Sequence, residues 1–137
     1  MRQTFALVAL LIAGCQTPHE FATPDASWKT RAGQLKYTSG ARVLVGEVVV
    51  SQRGALDFQI EFQKGGGLPL LKLRMDATTA RAEGLFARGS WQGAPDHAPA
   101  ALRGWVGLRA AFAERQPERF TITPQDSEDR FEFILGR

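Results

Sequence analysis

The sequence is poor in the residues that build disulfides and metal sites. Its 137 residues include one cysteine and two histidines. One cysteine cannot form an internal disulfide, so a disulfide-stabilised scaffold is excluded. His19 and His97 lie in segments that contain prolines, without the HExxH spacing or the cysteine partners of a zinc site. We therefore predict no metal and no cofactor.

Sequence motifs of enzymes are also missing. There is no GxSxG nucleophile motif, and the glycine-rich stretch 64–69 lacks the residue order of a phosphate-binding loop. The acidic residues Asp126, Glu128 and Asp129 fall in a predicted hairpin turn, where such a cluster is typical of a solvated tip. No set of residues in the sequence matches a catalytic motif, and we therefore predict that the protein is not an enzyme.

Charge of one sign is not concentrated anywhere along the chain. The 17 basic residues exceed the 14 acidic ones by three, and only four of the basic residues are lysines. The small excess is spread along the sequence and forms no basic stripe, so nucleic acid is not a predicted partner. With 44% apolar and 23% charged residues, the composition is that of one ordinary globular domain.

Long hydrophobic runs are absent too. The nine apolar residues from Phe5 to Ala13 are too few to span a bilayer, which takes about twenty. They follow Arg2 and end with the small residue Ala13, which Gly14 and Cys15 follow, and this is the order of a secretory signal peptide. There are two alternatives. The segment is an ordinary signal peptide with a chance cysteine, or it is a buried N-terminal helix.

The stretch Ile12-Ala13-Gly14-Cys15 resembles the lipobox of bacterial lipoproteins. The resemblance implies that a diacylglycerol is attached to the Cys15 thiol and that the signal is cut before this residue. It also implies export and anchoring in the cell envelope. Gln16, rather than aspartate, follows the cysteine, which favours the outer membrane facing the periplasm.

The chain therefore divides into three predicted parts. Residues 1–14 are the signal peptide, and residues 15–27, with two prolines and no apolar period, are a lipidated flexible tether. Residues 28–137 form a single β-rich domain.

Alternation of apolar and polar residues dominates this domain. In residues 55–63, Leu56, Phe58, Ile60 and Phe62 alternate with polar neighbours, which predicts a strand with one buried face. The run 42–50 is more continuously apolar and predicts a central strand buried on both faces, with a bend or bulge at Gly46. Short links predict an antiparallel meander of about seven strands, at 33–39, 42–51, 55–63, 70–76, 79–87, 118–123 and 129–135.

One segment, residues 98–116, predicts a helix instead. Pro99 is placed to open it and Pro117 follows its end. The apolar stripe of this helix contains Arg109. We expect the stripe to pack on the apolar face of the sheet. The helix is either a fixed cover of the core or a lid over an apolar groove. The candidate groove residues are Leu56, Phe58, Ile60, Phe62, Leu71, Leu73, Leu102, Trp105 and Phe112.

A lipid anchor, an antiparallel meander and one helix on its apolar side resemble the lipoprotein-localisation fold of LolA and LolB. That resemblance implies a mainly β half-barrel (α+β) that carries acyl chains. Two functions follow as expectations. The first is an envelope lipoprotein that holds a lipid or a lipoprotein acyl chain, and the second is a structural or adaptor lipoprotein that contacts an envelope protein assembly.

Overall fold

The computed structural model of the protein describes residues 18–136, and the predicted signal peptide and Cys15 lie outside this range. Eight strands and one α-helix make up the fold, with two short 3₁₀ turns at Leu85–Ala87 and Pro95–His97. In chain order the elements are β1 (Lys29–Ser39), β2 (Arg42–Arg53), β3 (Asp57–Lys64), β4 (Leu68–Met75), β5 (Ala80–Gly84), β6 (Gly89–Gly93), α1 (Ala100–Phe112), β7 (Arg119–Ile122) and β8 (Asp129–Leu135).

All eight strands belong to one antiparallel sheet, in the order β6-β5-β4-β3-β2-β1-β8-β7. Six strands follow each other as a meander, and β8 returns to pair with β1 on the other side. The order leaves β6 and β7 at opposite edges, so the sheet is open. The prediction of a mainly β, antiparallel half-barrel with one helix is confirmed.

The count of about seven strands was one short, because β6 lies at Gly89–Gly93, beyond the end of the predicted strand 79–87, where no strand was predicted. β5 ends at Gly84, whose φ of 114° lies in a region that favours glycine. Arg88 has a left-handed φ of 51° just before β6 begins. β6 (GSWQG) is short, and two of its five residues are glycines. It therefore lacks the alternation that marks the other strands.

The prediction for β2 is right about its position and wrong about its burial. β2 lies in the middle of the sheet, but only one of its faces is covered. Val48 and Val50 point into the core, whereas Val43 and Val45 are 52% and 56% exposed. A single helix can cover only one face of an open sheet, so the outer valines stay in solvent.

Gly46 marks no bulge in β2, whose pairing with β1 is regular. The register shift lies instead between Phe62 and Gln63, where β3 pairs with β4. A Cβ on Gly46 would overlap the carbonyl of Gln63 and lie 2.9 Å from the Phe62 ring. Glycine is required at position 46 because the β3 backbone approaches it closely.

The helix α1 is confirmed but is shorter than the predicted 98–116. Pro99 is its N-cap, and the helix stops at Phe112 because the following residues cross to β1, where the carbonyls of Gln116 and Pro117 accept bonds from Arg31. Its buried residues are Leu102, Gly104, Trp105, Leu108 and Phe112. Within residues 18–136, no helix has the length and apolarity to cross a bilayer.

Candidate functional site

Eight of the nine predicted groove residues lie together between the sheet and α1. They belong to one hydrophobic cluster and are almost completely buried. Leu56 is the exception, because it precedes β3 in a turn and is 50% exposed. Its assignment to the groove is therefore wrong. The alternation that placed it on the inner face holds only from residue 57 onward, where the chain is extended.

Side chains fill the space beneath the helix. Trp105 is completely buried, and its ring centroid lies 4.9 Å from Tyr37, 4.8 Å from Phe131 and 5.6 Å from Phe62. Farther along α1, Phe112 contacts Phe133 at 5.3 Å, edge to face. Such contacts between rings stabilise a core beyond the area they bury. The predicted groove is thus occupied by the protein's own aromatic residues.

Two glycines hold the helix close to the loop before β8. A Cβ on Gly104 would overlap the Asp129 carboxylate and lie 2.7 Å from the Ser127 hydroxyl. A Cβ on Gly107 would lie 3.1 Å from Pro124. Glycine is a poor helix former, yet at these two positions the missing side chain permits the close packing of α1.

At the other end of the helix, Arg109 attaches α1 to the sheet. Its guanidinium donates to the carbonyls of Leu56 at 3.0 Å and Asp76 at 2.7 Å. Burial lowers the pKa of Arg109 below its usual value, while the nearby Asp76 and Asp57 carboxylates act in the opposite direction. The arginine that interrupted the predicted apolar stripe is therefore a tie between the helix and two turns. Contacts therefore join α1 to neighbouring segments at both of its ends.

A buried polar pair lies under the first turns of α1. The Tyr37 hydroxyl donates to an Asp129 carboxylate oxygen at 3.2 Å. Burial raises the pKa of Tyr37, and the charge of Asp129 adds to this rise. Beside the pair is a polar depression of about 570 Å³, whose rim includes Arg42 and Arg88. Asp129 was predicted at a solvated hairpin tip, but it is buried and connects β8 to β1.

Arg31 forms a second buried polar group. Its guanidinium donates four bonds to the carbonyls of Gln116, Pro117, Leu135 and Gly136. These bonds tie the segment after α1 and the end of β8 to β1. All of its nitrogens are used on backbone oxygens, so its role is structural.

The outer face of the sheet carries apolar side chains in solvent. Val43, Val45 and Val49 lie along the outer side of β2, with the exposed Glu47 between Val45 and Val49, and Ile134 on β8 is 40% exposed. A depression of about 350 Å³ between β2 and β7 is lined in part by Val45, Phe120 and Ile134. Isolated exposed apolar residues are common, but a row on one strand beside a depression is a candidate contact surface.

Part of the predicted tether contacts this outer face. His19 Nε2 lies 2.5 Å from an Asp76 carboxylate oxygen. The Phe21 ring lies beneath the guanidinium groups of Arg74 and Arg81, at 6.0 and 5.6 Å. Residues 15–27 were predicted to be a flexible tether, but His19 and Phe21 attach this segment to the sheet. Cys15 itself lies outside the described residues.

The remaining titratable residues form no catalytic arrangement in residues 18–136. His97 is exposed, and its nearest acidic partner is its neighbour Asp96 at 3.9 Å. The same range contains no group of three side chains that could hold a metal ion. The pKa of Asp25 is lowered by its hydrogen bonds from the Ser27 hydroxyl and amide, which belong to a local turn.

The fold places the chain among open antiparallel half-barrels covered by one helix. Neither the protein-family models nor the curated proteins include a match to this sequence. The lipobox and the likeness to the lipoprotein-localisation fold therefore remain predictions from the sequence.

Sequence reasoning missed the surface contacts of His19 and Phe21 and the outer row on β2. Proline and small residues around His19 are typical of free segments, and nothing in them signals a contact 57 residues away with Asp76. The sequence could have placed Val43, Val45 and Val49 on one face, because they share one parity, but parity does not tell which face stays in solvent. The sequence predicted a strand buried on both faces because the five valines of β2 occupy both odd and even positions.

Proposed function

We propose that the protein is a non-enzymatic lipoprotein of the bacterial cell envelope whose domain binds another envelope protein. In this proposal a diacylglycerol on Cys15 anchors the chain, in the outer membrane facing the periplasm. The lipobox residues support the anchor. The filled interior supports a protein adaptor over a lipid carrier, because the space that would hold an acyl chain is taken by Trp105 and its aromatic neighbours.

The outer face of β2 is the surface we assign to the partner. It presents Val43, Val45 and Val49 in a row, next to the depression at Ile134. Protein interfaces have an apolar centre and a polar rim. The flanking residues supply such a rim, since Lys36 and Glu132 pair beside the depression at 3.7 Å.

A site-specific crosslink tests this assignment. The substitution Val45→p-benzoyl-phenylalanine should give one protein adduct upon irradiation of intact cells, and Val43→Glu in the same chain should abolish it. The matched control is the same photoreactive residue at Gln92, which is exposed on the outer face of β6. Equal adducts at both positions, or none at Val45, would show that the outer side of β2 is not the surface that the partner contacts.

Carriage of a lipid or a lipoprotein acyl chain is the second candidate. It is favoured by the architecture, since one helix covers the apolar face of an open sheet, as in the fold that the sequence resembles. For the interior to accept a chain, α1 would have to leave the sheet. That movement breaks the Arg109 bonds and the packing of Leu102 and Trp105.

The variant Leu102→Ala separates the two candidates. If α1 is a fixed cover, the substitution should lower the free energy of unfolding by about 2–5 kcal/mol. An apolar fluorescent probe should bind neither the variant nor the wild-type protein. A small loss of stability together with saturable probe binding would favour the lipid carrier.

A further inference from the structure

One end of the half-barrel collects the start of β1, the β2–β3 turn, the β4–β5 turn and the segment after α1. Strand register places these parts together, because Lys29 pairs with Gln52, and Met75 pairs with both Phe58 and Ala80. We call this the proximal end. The distal end holds the β1–β2 and β3–β4 turns. The twelve residues of β2 separate the two ends by about 36 Å.

The N-terminal segment meets the domain at the proximal end. His19 contacts Asp76 in the β4–β5 turn, and Phe21 lies against Arg74 and Arg81. Cys15 precedes His19 by four residues. An extended chain covers at most about 3.5 Å per residue, so the Cα of Cys15 lies within about 14 Å of His19. A lipid on Cys15 would therefore hold the proximal end, and not the distal end, near the bilayer.

The proximal end carries acidic residues such as Glu114 and Asp76 and also basic residues, which collect in one depression. Lys29, Arg31 and Arg115 line a depression of about 460 Å³ there, and Glu118 is its one acidic residue. Arg31 uses its donors on backbone carbonyls. Lys29 and Arg115 are exposed, and neither forms an ion pair with a carboxylate of residues 18–136. Their charges are free to attract an anionic surface.

We propose that the proximal end rests on the bilayer and that Lys29 and Arg115 contact the phosphates of anionic phospholipids. The proposal rests on the lipid attachment at Cys15. The short segment between Cys15 and the domain brings Lys29 and Arg115 close to the bilayer. This closeness is needed because a basic residue is attracted to an anionic leaflet only within about 10 Å at moderate salt. The row of valines on β2 then extends away from the membrane, accessible to a protein partner.

Paramagnetic broadening in nuclear magnetic resonance tests the orientation. The mature chain from Cys15 contains every described element, and its single thiol can be coupled to a maleimide phospholipid in lipid nanodiscs. The discs contain phosphatidylglycerol and a trace of lipid with a gadolinium chelate on its headgroup. We expect the amides of residues 29–31 and 115–118 to broaden about five-fold more than those of residues 39–42 and 85–88, given the separation of the ends.

Charge reversal supplies the matched comparison. The double variant Lys29→Glu, Arg115→Glu should reduce the difference between the ends to about the level seen in discs of phosphatidylcholine alone. The control Arg42→Glu, Arg88→Glu changes the same charge at the distal end and should leave the pattern unaltered. Unchanged amide spectra in lipid-free solution show that each variant is folded.

Uniform broadening, stronger broadening of the distal end, or a pattern indifferent to Lys29 and Arg115 would each overturn the proposal. Coupling through maleimide makes the result independent of acylation in cells. If Cys15 is not acylated in cells, the lipoprotein proposal fails separately from this test.

Discussion

At the scale of single residues, buried polar groups are placed where the chain must be joined to itself. Arg31 binds four carbonyls from two distant segments, and Tyr37 with Asp129 joins β1 to β8. A buried polar group is costly unless it is hydrogen-bonded, and these groups are. They explain why a polar residue can occupy an inward position in a strand without breaking the core.

The facing of β3 gives a prediction at this scale. Phe58→Asp or Ile60→Asp should prevent folding, because an unpaired charge would be buried in the cluster. Gln59→Asp, on the other face of the same strand, should lower the melting temperature only slightly. Thermal melts of the three variants check this, and similar melting temperatures would contradict the assigned facing.

The contact between His19 and Asp76 gives a second prediction. Burial raises the pKa of Asp76, but hydrogen bonds from His19 and from the Thr78 and Thr79 amides lower it more, so it lies below its usual value of 3.8. A carboxylate with a lowered pKa stabilises the fold above its unfolded pKa. This contribution is lost as the pH falls through the folded pKa.

Asp76→Asn should therefore be less stable than the wild type by about 1 kcal/mol at pH 7. The difference should begin to fall near pH 3.8 and disappear only below the lowered folded pKa, once the wild-type carboxyl is protonated in the folded protein. Urea unfolding of both proteins from pH 7 to pH 2 measures it. A difference that is constant with pH would show that the carboxylate charge is not involved.

At the scale of elements, the stability that α1 gains from close packing outweighs the low helix propensity of its two glycines. Gly104 and Gly107 cost the helix about 1 kcal/mol each relative to alanine. The structure uses both positions for contact with the loop before β8. Arg109 then fixes the other end of the helix on the turns beside β3 and β4.

Gly104→Ala tests this balance. The added methyl group would meet Asp129 Cβ at 2.9 Å and the Ser127 hydroxyl at 2.7 Å, inside a packed region. We expect a net destabilisation of about 1–3 kcal/mol, despite the better helix propensity of alanine. Gly107→Ala is the control, because its nearest contact, Pro124 at 3.1 Å, needs a smaller shift. Measuring the free energies of unfolding of both variants and of the wild type checks this prediction. A stabilised Gly104→Ala variant would contradict the close packing.

At the scale of the whole molecule, the pairing of β8 with β1 completes the domain. Without this pairing, β1 would be an edge strand of the sheet, and the apolar side chains of β8 would not be held against the core. The returning strand also brings Phe131 and Phe133 under α1. The strands and the helix of the described residues therefore build one core, and the outer side of β2 stays in solvent.

The lipid anchor gives the prediction for the whole molecule. Cys15→Ser removes the thiol that would take the diacylglycerol, so labelling by a radioactive fatty acid should be lost. Two or more acyl chains hold a protein stably on a membrane, and the variant should leave the membrane fraction. Ser27→Ala, in the segment outside the lipobox, is the control. A serine variant that is still acylated and still fractionates with membranes would refute the lipobox interpretation.

The sequence alone determined the class of the fold and the inner face of most strands. Period-two alternation in residues 57–63 and 71–75 requires a strand with one dry face, and the short links between runs require antiparallel neighbours. Pro99 and the apolar stripe likewise determined the one helix. These features are local, so the residues that specify them are neighbours in the chain.

Only the tertiary structure decided the facing of the β2 valines, the strand at 89–93 and the filling of the predicted groove. Each depends on residues far apart in sequence, such as Tyr37, Phe62 and Phe131, which meet around Trp105. Alternation shows that a face is apolar, but the amount of space between sheet and helix depends on how closely α1 approaches. That distance is decided by Gly104 against Asp129 and by Arg109 against two carbonyls, contacts that no local pattern contains.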